Sequence, residues 1–276
     1  MKHKFTPILI LPFLLLSITA CKHKTSVELT SEFKKYFDDY KVKGSFILYD
    51  QQKDAYFIFN QEGTKQLFTP ASTFKICNSL IGLETGIIKD EHFVLKWDSI
   101  VRPNPAWNMD QDMKTAFANS TVWYYQELAR RVGATNMKYW LNMAQYGNAD
   151  TTGGIDQFWL TGSLRITPMQ QIDFLKRLHE KQLPFSERSV NIVKNIMLIK
   201  DSTGNELHGK TGWGSQDGNE IGWFVGYVET KDDVYYFSNC TQAAGDSLKT
   251  LEQSVNFDKA RTQIVYNILR SKQIIK

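Results

Sequence analysis

Three short stretches of the chain pair hydroxyls with amines in a way that suits acyl transfer. In "TPASTFKICNSL", Thr69 to Leu80, Ser72 precedes Lys75 by three residues at the first turn of a predicted helix. Positions i and i+3 share a helix face, so hydroxyl and amine would meet. A helix N-terminus offers free N–H groups and a dipole that favours developing negative charge, which suits a serine attacking a carbonyl. A protonated lysine, however, cannot take the serine's proton. On its own, Ser-x-x-Lys reads as a helix cap with a solvent-facing lysine. In "NSTV", Ser120 opens a helical run and offers a second hydroxyl that could shuttle a proton; alone it is another cap. In "KTG", on a predicted strand, Lys210 can hold an anion, Thr211 can donate a hydrogen bond to it, and Gly212 lets a ligand approach the backbone. The three together, in this order, are a much rarer coincidence than any one.

The elements that must position them can be read coarsely. Residues 30–42 predict an amphipathic helix capped by Thr30 or Ser31, with Phe33, Tyr36, Phe37 and Tyr40 on one face. "GSFILYD" and "DAYFIFN" predict a hairpin. The middle of the chain is mostly helical, with "QELARRVG", "MKYWLNMA", "MQQIDFLKRLHEK" and "SVNIVKNIML" as its clearest pieces. "ELHGKTG", "EIGWFVGYVE" and "DVYYFSNCT" predict strands, the last two joined through a turn at "TKDD", and a final helix spans Asn256 to Arg270. The expected fold is α/β of the α+β type. An antiparallel sheet flanked by helices (about 25–88 and 206–276) carries an inserted all-helical lobe (about 89–205), with a cleft between them.

Composition bounds the partners. The 276 residues, 42% of them hydrophobic, can bury a large core. A formal charge of +4 is too weak and too evenly spread to suggest a nucleic-acid partner, and none is expected. Residues 1–20 are different: Lys2 and Lys4 precede an apolar run from Ile8 to Leu16, broken only by Pro12, and small residues then lead to Cys21. This predicts an export signal, too short in its apolar part to span a membrane. The ending "ITAC" is similar to the site at which bacterial lipoproteins are cleaved and acylated, so Cys21 is expected to carry lipid. The mature chain, 21–276, would then be exported to the bacterial periplasm and meet a membrane only through that anchor. Cys77 and Cys240 could form a disulfide or stay as buried thiols. The five histidines show no metal-ligand spacing, and no metal is expected. Oligomeric state is left open.

With these pieces in order, the chain resembles the class D, oxacillinase-type, serine beta-lactamases over nearly all of its mature length. "PASTFKI", "WNMDQDMKTAF", "STV", "YGN" (Tyr146 to Asn148), "FWL" (Phe158 to Leu160), "KTG" and "GWFVG" (Gly222 to Gly226) carry the resemblance. Class A enzymes have Ser-Asp-Asn where this chain has Ser120, Thr121 and Val122.

The resemblance implies a serine beta-lactamase/penicillin-binding transpeptidase-like fold, beta-lactam substrates, and hydrolysis through an acyl-enzyme on Ser72. It also implies roles for particular residues. Lys75 would react with carbon dioxide to become an N-carboxylated lysine, the base for both acylation and deacylation, with no other cofactor. Val122, Phe158, Trp159 and Leu160 would wall it off, and the Trp159 indole N–H would donate to the carbamate. The backbone N–H groups of Ser72 and Trp213 would form the oxyanion hole. Ser120 would pass a proton to the departing ring nitrogen, tuned by Lys210. Thr211 and Arg261, beside Gly212, would hold the substrate carboxylate. A penicillin sensor that is acylated without turnover, or a cell-wall transpeptidase, would share most of these features.

Overall fold

A sheet of seven strands carries the fold. The computed structural model describes Met1, residues 25–199 and residues 204–276, so the expected leader and Cys21 lie outside the described residues. In chain order the strands are β1 (Ser26–Leu29), β2 (Lys43–Asp50), β3 (Ala55–Phe59), β4 (Leu198–Ile199), β5 (Glu206–Gln216), β6 (Asn219–Glu229) and β7 (Val234–Ala244). In space they run β1-β3-β2-β7-β6-β5-β4. The helices are α1 (Lys34–Asp39), α2 (Lys75–Glu84), α3 (Met113–Ala118), α4 (Val122–Val132), α5 (Ala134–Met143), α6 (Pro168–His179), α7 (Glu187–Met197) and α8 (Leu251–Ser271).

Period-two alternation along the central strands sorts the core into two layers. Trp223, Val225 and Tyr227 of β6 face a large cluster with α2, α4 and α6, whereas Phe224 and Val228 face a smaller one with Phe33, Phe37 and the α8 residues Ile264 and Ile268. The middle of the sheet is therefore covered on both sides, and its strands read as nearly continuous apolar runs. The β6–β7 turn is the expected "TKDD": Thr230 N donates to Asp233 O at 2.9 Å, and Asp233 N donates to Thr230 Oγ1 at 3.0 Å. Helix α2 is buried from Lys75 to Leu83, as befits a helix surrounded by others. Its polar residues are met inside: Asn78 Nδ2 donates to Tyr125 O, and Ser79 Oγ lies 2.9 Å from the Tyr125 hydroxyl.

The structure adds detail to the sequence reading. β1 pairs parallel with β3, and all four of its side chains are exposed, so no apolar alternation marked it. The largely helical middle also supplies β4, which pairs with Leu207 and His208. The N-terminal helix is shorter than 30–42: a 3-10 turn over Ser31–Phe33 precedes α1, and Lys41 takes φ 54°, turning the chain into β2. Thr30 makes no capping hydrogen bond. Cys77 and Cys240 are free and buried. None of the described helices is long and apolar enough to cross a membrane.

The last helix starts at Leu251, earlier than Asn256, because Thr250 caps it. Gln253 N donates to Thr250 Oγ1 at 3.2 Å and Thr250 N donates to Gln253 Oε1 at 3.0 Å, a reciprocal capping box. Thr250→Ala should cost about 1 kcal/mol. In a chain of this size that lowers the thermal unfolding midpoint by roughly 2–4 °C. A melting curve identical to wild type would show that the box contributes nothing.

Candidate active site

Ser72 sits in a tight turn, not in an α-helix. Residues Ala71–Phe74 form a 3-10 turn and the α-helix begins at Lys75. Ala71 holds φ 47°, a left-handed conformation that is unfavourable for a residue with a Cβ and persists only under outside constraint. The constraints are visible. Ala71 N donates to Trp159 O at 3.1 Å, and Thr69 Oγ1 donates to the same carbonyl at 3.0 Å. Trp223 Nε1 donates to Thr69 O at 2.9 Å. On the helix side, Thr73 Oγ1 donates to Pro70 O at 2.8 Å and accepts from Gln171 Nε2 at 2.9 Å.

Strand β5 passes directly against this turn. A Cβ on Gly212 would lie 3.1 Å from Pro70 O and 3.2 Å from Thr73 Cγ2, and one on Gly214 would lie 3.1 Å from Ala71 Cβ. The glycine of K-T-G thus lets the Ser72 turn approach the strand, a packing reason beside the expected ligand approach.

The spacing argument brings hydroxyl and amine together. Lys75 Nζ donates to Ser72 Oγ at 2.8 Å. Lys75 has 0% exposure, and its amine lies 5.2 Å from the centre of the Tyr125 ring. Burial, and secondly the charge of Lys210, hold its pKa well below the usual lysine range. Lys210 Nζ donates to Ser120 Oγ and to Thr211 O, both at 3.1 Å. Burial, then the charge of Arg261, brings the Lys210 pKa down to about 7. Ser120 lies between α3 and α4 with φ 55°, just ahead of the helix it was expected to open. Thr121 N, donating to Ala116 O at 2.9 Å, and Thr121 Oγ1, donating to Gln111 Oε1 at 2.7 Å, hold that corner.

Arg261, on α8, reaches the same strand: its Nη1 donates to Gly212 O at 3.0 Å and its guanidinium pairs with Asp258. Burial brings its pKa down to about 10. Its stem runs over Gly222, where a Cβ would lie 2.7 Å from Arg261 Cγ. Thr211 and Trp213, both half-buried, flank Gly212 on β5.

The expected wall divides in two. Phe158 and Trp159 are fully buried, while Val122, the first residue of α4, and Leu160 are half-buried. The Trp159 ring lies 5.4 Å from that of Phe74, the residue before Lys75. Its indole N–H is buried without a partner. A buried donor left unpaired is costly, so this atom calls for an acceptor.

Sequence reasoning missed several supports. Tyr125 lies beneath the Lys75 amine, and Gln171 holds Thr73. Gln171 was detectable as a polar residue on the apolar face of α6, in line with Phe174, Leu175 and Leu178. His208 is not a partner for Ser72: its Nδ1 lies 2.9 Å from Lys194 O, its Nε2 lies 3.3 Å from Glu206 Oε2, and it stacks on Tyr227. Among the described residues, Glu206, His208 and Glu229 bring their ligand atoms within 4.8 Å of one another, through the Glu206–Glu229 register of β5 and β6 that linear spacing conceals.

Comparison with known proteins gives a consistent picture. A family model for the penicillin binding protein transpeptidase domain matches residues 17–270. Beta-lactamase OXA-48 of Klebsiella pneumoniae is 42% identical over 214 residues, 77% of this chain and 81% of the relative. The regulatory protein BlaR1 of Bacillus licheniformis is 35% identical over 236 residues, 84% of this chain but 39% of the relative. The crystal structure of a class D beta-lactamase from Sebaldella termitidis ATCC 33386 superimposes with a TM-score of 0.85 at 35% identity, covering 91% of this chain and 99% of that one.

Proposed function

This chain belongs to the class D beta-lactamases, within the penicillin-binding transpeptidase family, and from that premise we propose that it hydrolyses beta-lactams with Ser72 as nucleophile and a carboxylated Lys75 as base. The observation that carries this reading is the Lys75 amine: fully buried, hydrogen-bonded to Ser72 Oγ at 2.8 Å, and shifted toward its neutral form. A neutral amine adds carbon dioxide with loss of one proton, giving an anionic carbamate oxygen able to take the Ser72 proton and later that of water. The unpaired Trp159 N–H supports it as the donor for that oxygen. Lys210, hydrogen-bonded to Ser120 with a pKa near neutrality, is suited to supply a proton through Ser120 to the leaving ring nitrogen. Arg261 and Thr211 would hold the substrate carboxylate, Arg261 remaining charged at neutral pH.

A second reading is a penicillin sensor, favoured by the match to BlaR1. Turnover separates the two: a hydrolase turns over nitrocefin repeatedly, and a sensor once. We further propose that the protein is exported and carries lipid on Cys21, from the apolar run that ends in "ITAC". Mass spectrometry of the mature N-terminus is expected to show a diacylglyceryl adduct on Cys21; an unmodified chain starting elsewhere rejects it.

Ser72→Ala should abolish turnover. Lys75→Ala should leave slow acylation but trap the adduct with benzylpenicillin, visible as a stable gain in intact-protein mass. Rapid release of that adduct would assign the deacylating base to another residue.

The pH dependence follows from the direction of the Lys75 shift. Acid returns the amine to ammonium, which cannot add carbon dioxide, so activity should fall as pH drops and recover at fixed pH with added bicarbonate. Trp159→Phe leaves the carbamate oxygen unpaired at a cost of about 1–3 kcal/mol. That is roughly a fivefold to hundredfold loss of the modified form, so this variant should need correspondingly more bicarbonate. Carbon-13 NMR with labelled bicarbonate reads the carbamate directly. An active sample without that signal would remove Lys75 from this role.

A further inference from the structure

The residue after K-T-G is held by an acid that none of the sequence motifs contains. Trp213 Nε1 donates to Glu220 Oε2 at 2.5 Å, and Ser215 Oγ donates to Glu220 Oε1 at 2.6 Å. The β5–β6 register explains the contact. Trp213 lies opposite Gly222 and Ser215 opposite Glu220, so the side chains of Trp213, Ser215 and Glu220 point to one face of the hairpin. On that face the Trp213 ring packs on Phe257 at 5.1 Å between centroids, and the Arg261 guanidinium lies 5.3 Å from the ring centre. Gly222 has no side chain there, which leaves room for the Arg261 stem. Glu220, Trp213 and Arg261 therefore form a continuous stack from the hairpin's outer end to the carbonyl of Gly212.

We propose that Glu220 is a positioning residue for acylation. By accepting from both Trp213 Nε1 and Ser215 Oγ, its carboxylate fixes the indole against Phe257 and Arg261. That in turn sets the Trp213 backbone N–H and the Arg261 guanidinium for the carbonyl oxygen and carboxylate of the substrate, an inference that rests on the binding roles proposed above for Trp213 and Arg261. Hydrogen bonds to an ionised acceptor are the stronger kind. Arg261 in turn is held by stacking on an indole that cannot turn away. Without the carboxylate, the half-buried indole is free to rotate, and both substrate contacts lose their fixed support.

The test is a double-mutant cycle read as the acylation rate constant, by rapid-quench mass spectrometry with benzylpenicillin. Glu220→Ala should slow acylation about tenfold to a hundredfold, the scale of a misplaced binding group. Glu220→Gln keeps an oxygen for the indole N–H and an amide donor for Ser215, so it should acylate within a few-fold of wild type. Trp213→Phe keeps a ring and the backbone N–H but drops the indole donor. If Glu220 acts through that donor, Glu220→Ala should add little further loss in a Trp213→Phe background. Near-UV circular dichroism and thermal unfolding check that each variant is folded. A folded Glu220→Ala that acylates at the wild-type rate, or losses that multiply in the double variant, would overturn the proposal. Failure of wild type to take any adduct would instead overturn the acyl-enzyme reading on which it rests.

Discussion

A lysine amine with no exposed surface, bonded to a serine hydroxyl, is the constraint around which this protein is organised. Burying an ammonium without a counter-ion is prohibitively costly, so the amine responds by losing its proton preference. That outcome requires an enclosure: α2 is buried along nearly its whole length, Tyr125 lies beneath the amine, and the ring of Phe74, the residue before Lys75, packs with those of Phe158 and Trp159. The large core is thus more than a source of stability. Its apolar thickness sets the chemical state of one nitrogen.

The same packing holds the turn that carries Ser72 in a conformation that it would not take alone. Ala71 at φ 47° stores strain, which is tolerated because Trp159 O, Trp223 Nε1 and Gln171 Nε2 tie the turn to three separate elements. β5 can press against that turn only where Gly212 and Gly214 present no side chain. Core, strained turn and K-T-G strand are therefore one mechanical unit, in which a change at Gln171 or Trp223 reaches Ser72 without touching it.

Much of this was legible in the sequence, and what was not has a physical reason. Ser72 and Lys75 met because helical and 3-10 spacing both bring i and i+3 together, although the turn type differed from expectation. Lys210 and Ser120 were paired by what the family resemblance implies and lie 3.1 Å apart. The exposed strand β1 was missed because its pairing depends on β3 and its side chains carry no burial pattern. The start of α8 was written in the sequence as Thr250 and Gln253, but the apolar periodicity is clearest only further along the helix. Gln171 marks itself in the sequence only as a polar residue on an apolar helix face, and its partner Thr73 lies far off in the chain; Glu220 is only seven residues from Trp213, but their contact depends on the β5–β6 register.

Three basic side chains lie in this site, and burial lowers the proton affinity of each. Arg261, shifted only to about 10, stays cationic at neutral pH and suits the permanent anchor of a carboxylate. Lys210, at about 7, is close to half-protonated and suits a group that both gives and takes a proton. Lys75, held well below the usual lysine range by burial, is shifted toward the neutral form that the proposed carboxylation needs. The order follows from the structure: Arg261 keeps an acid, Asp258, for a partner; Lys210 has a hydroxyl and a carbonyl; and Lys75 has the Ser72 hydroxyl and an aromatic face. Burial lowers both lysines most, and each is also pushed by the cation next to it, Lys210 by Arg261 and Lys75 by Lys210. Chemically similar residues are thereby given different proton affinities within one site, which suits them to different steps of the proposed reaction.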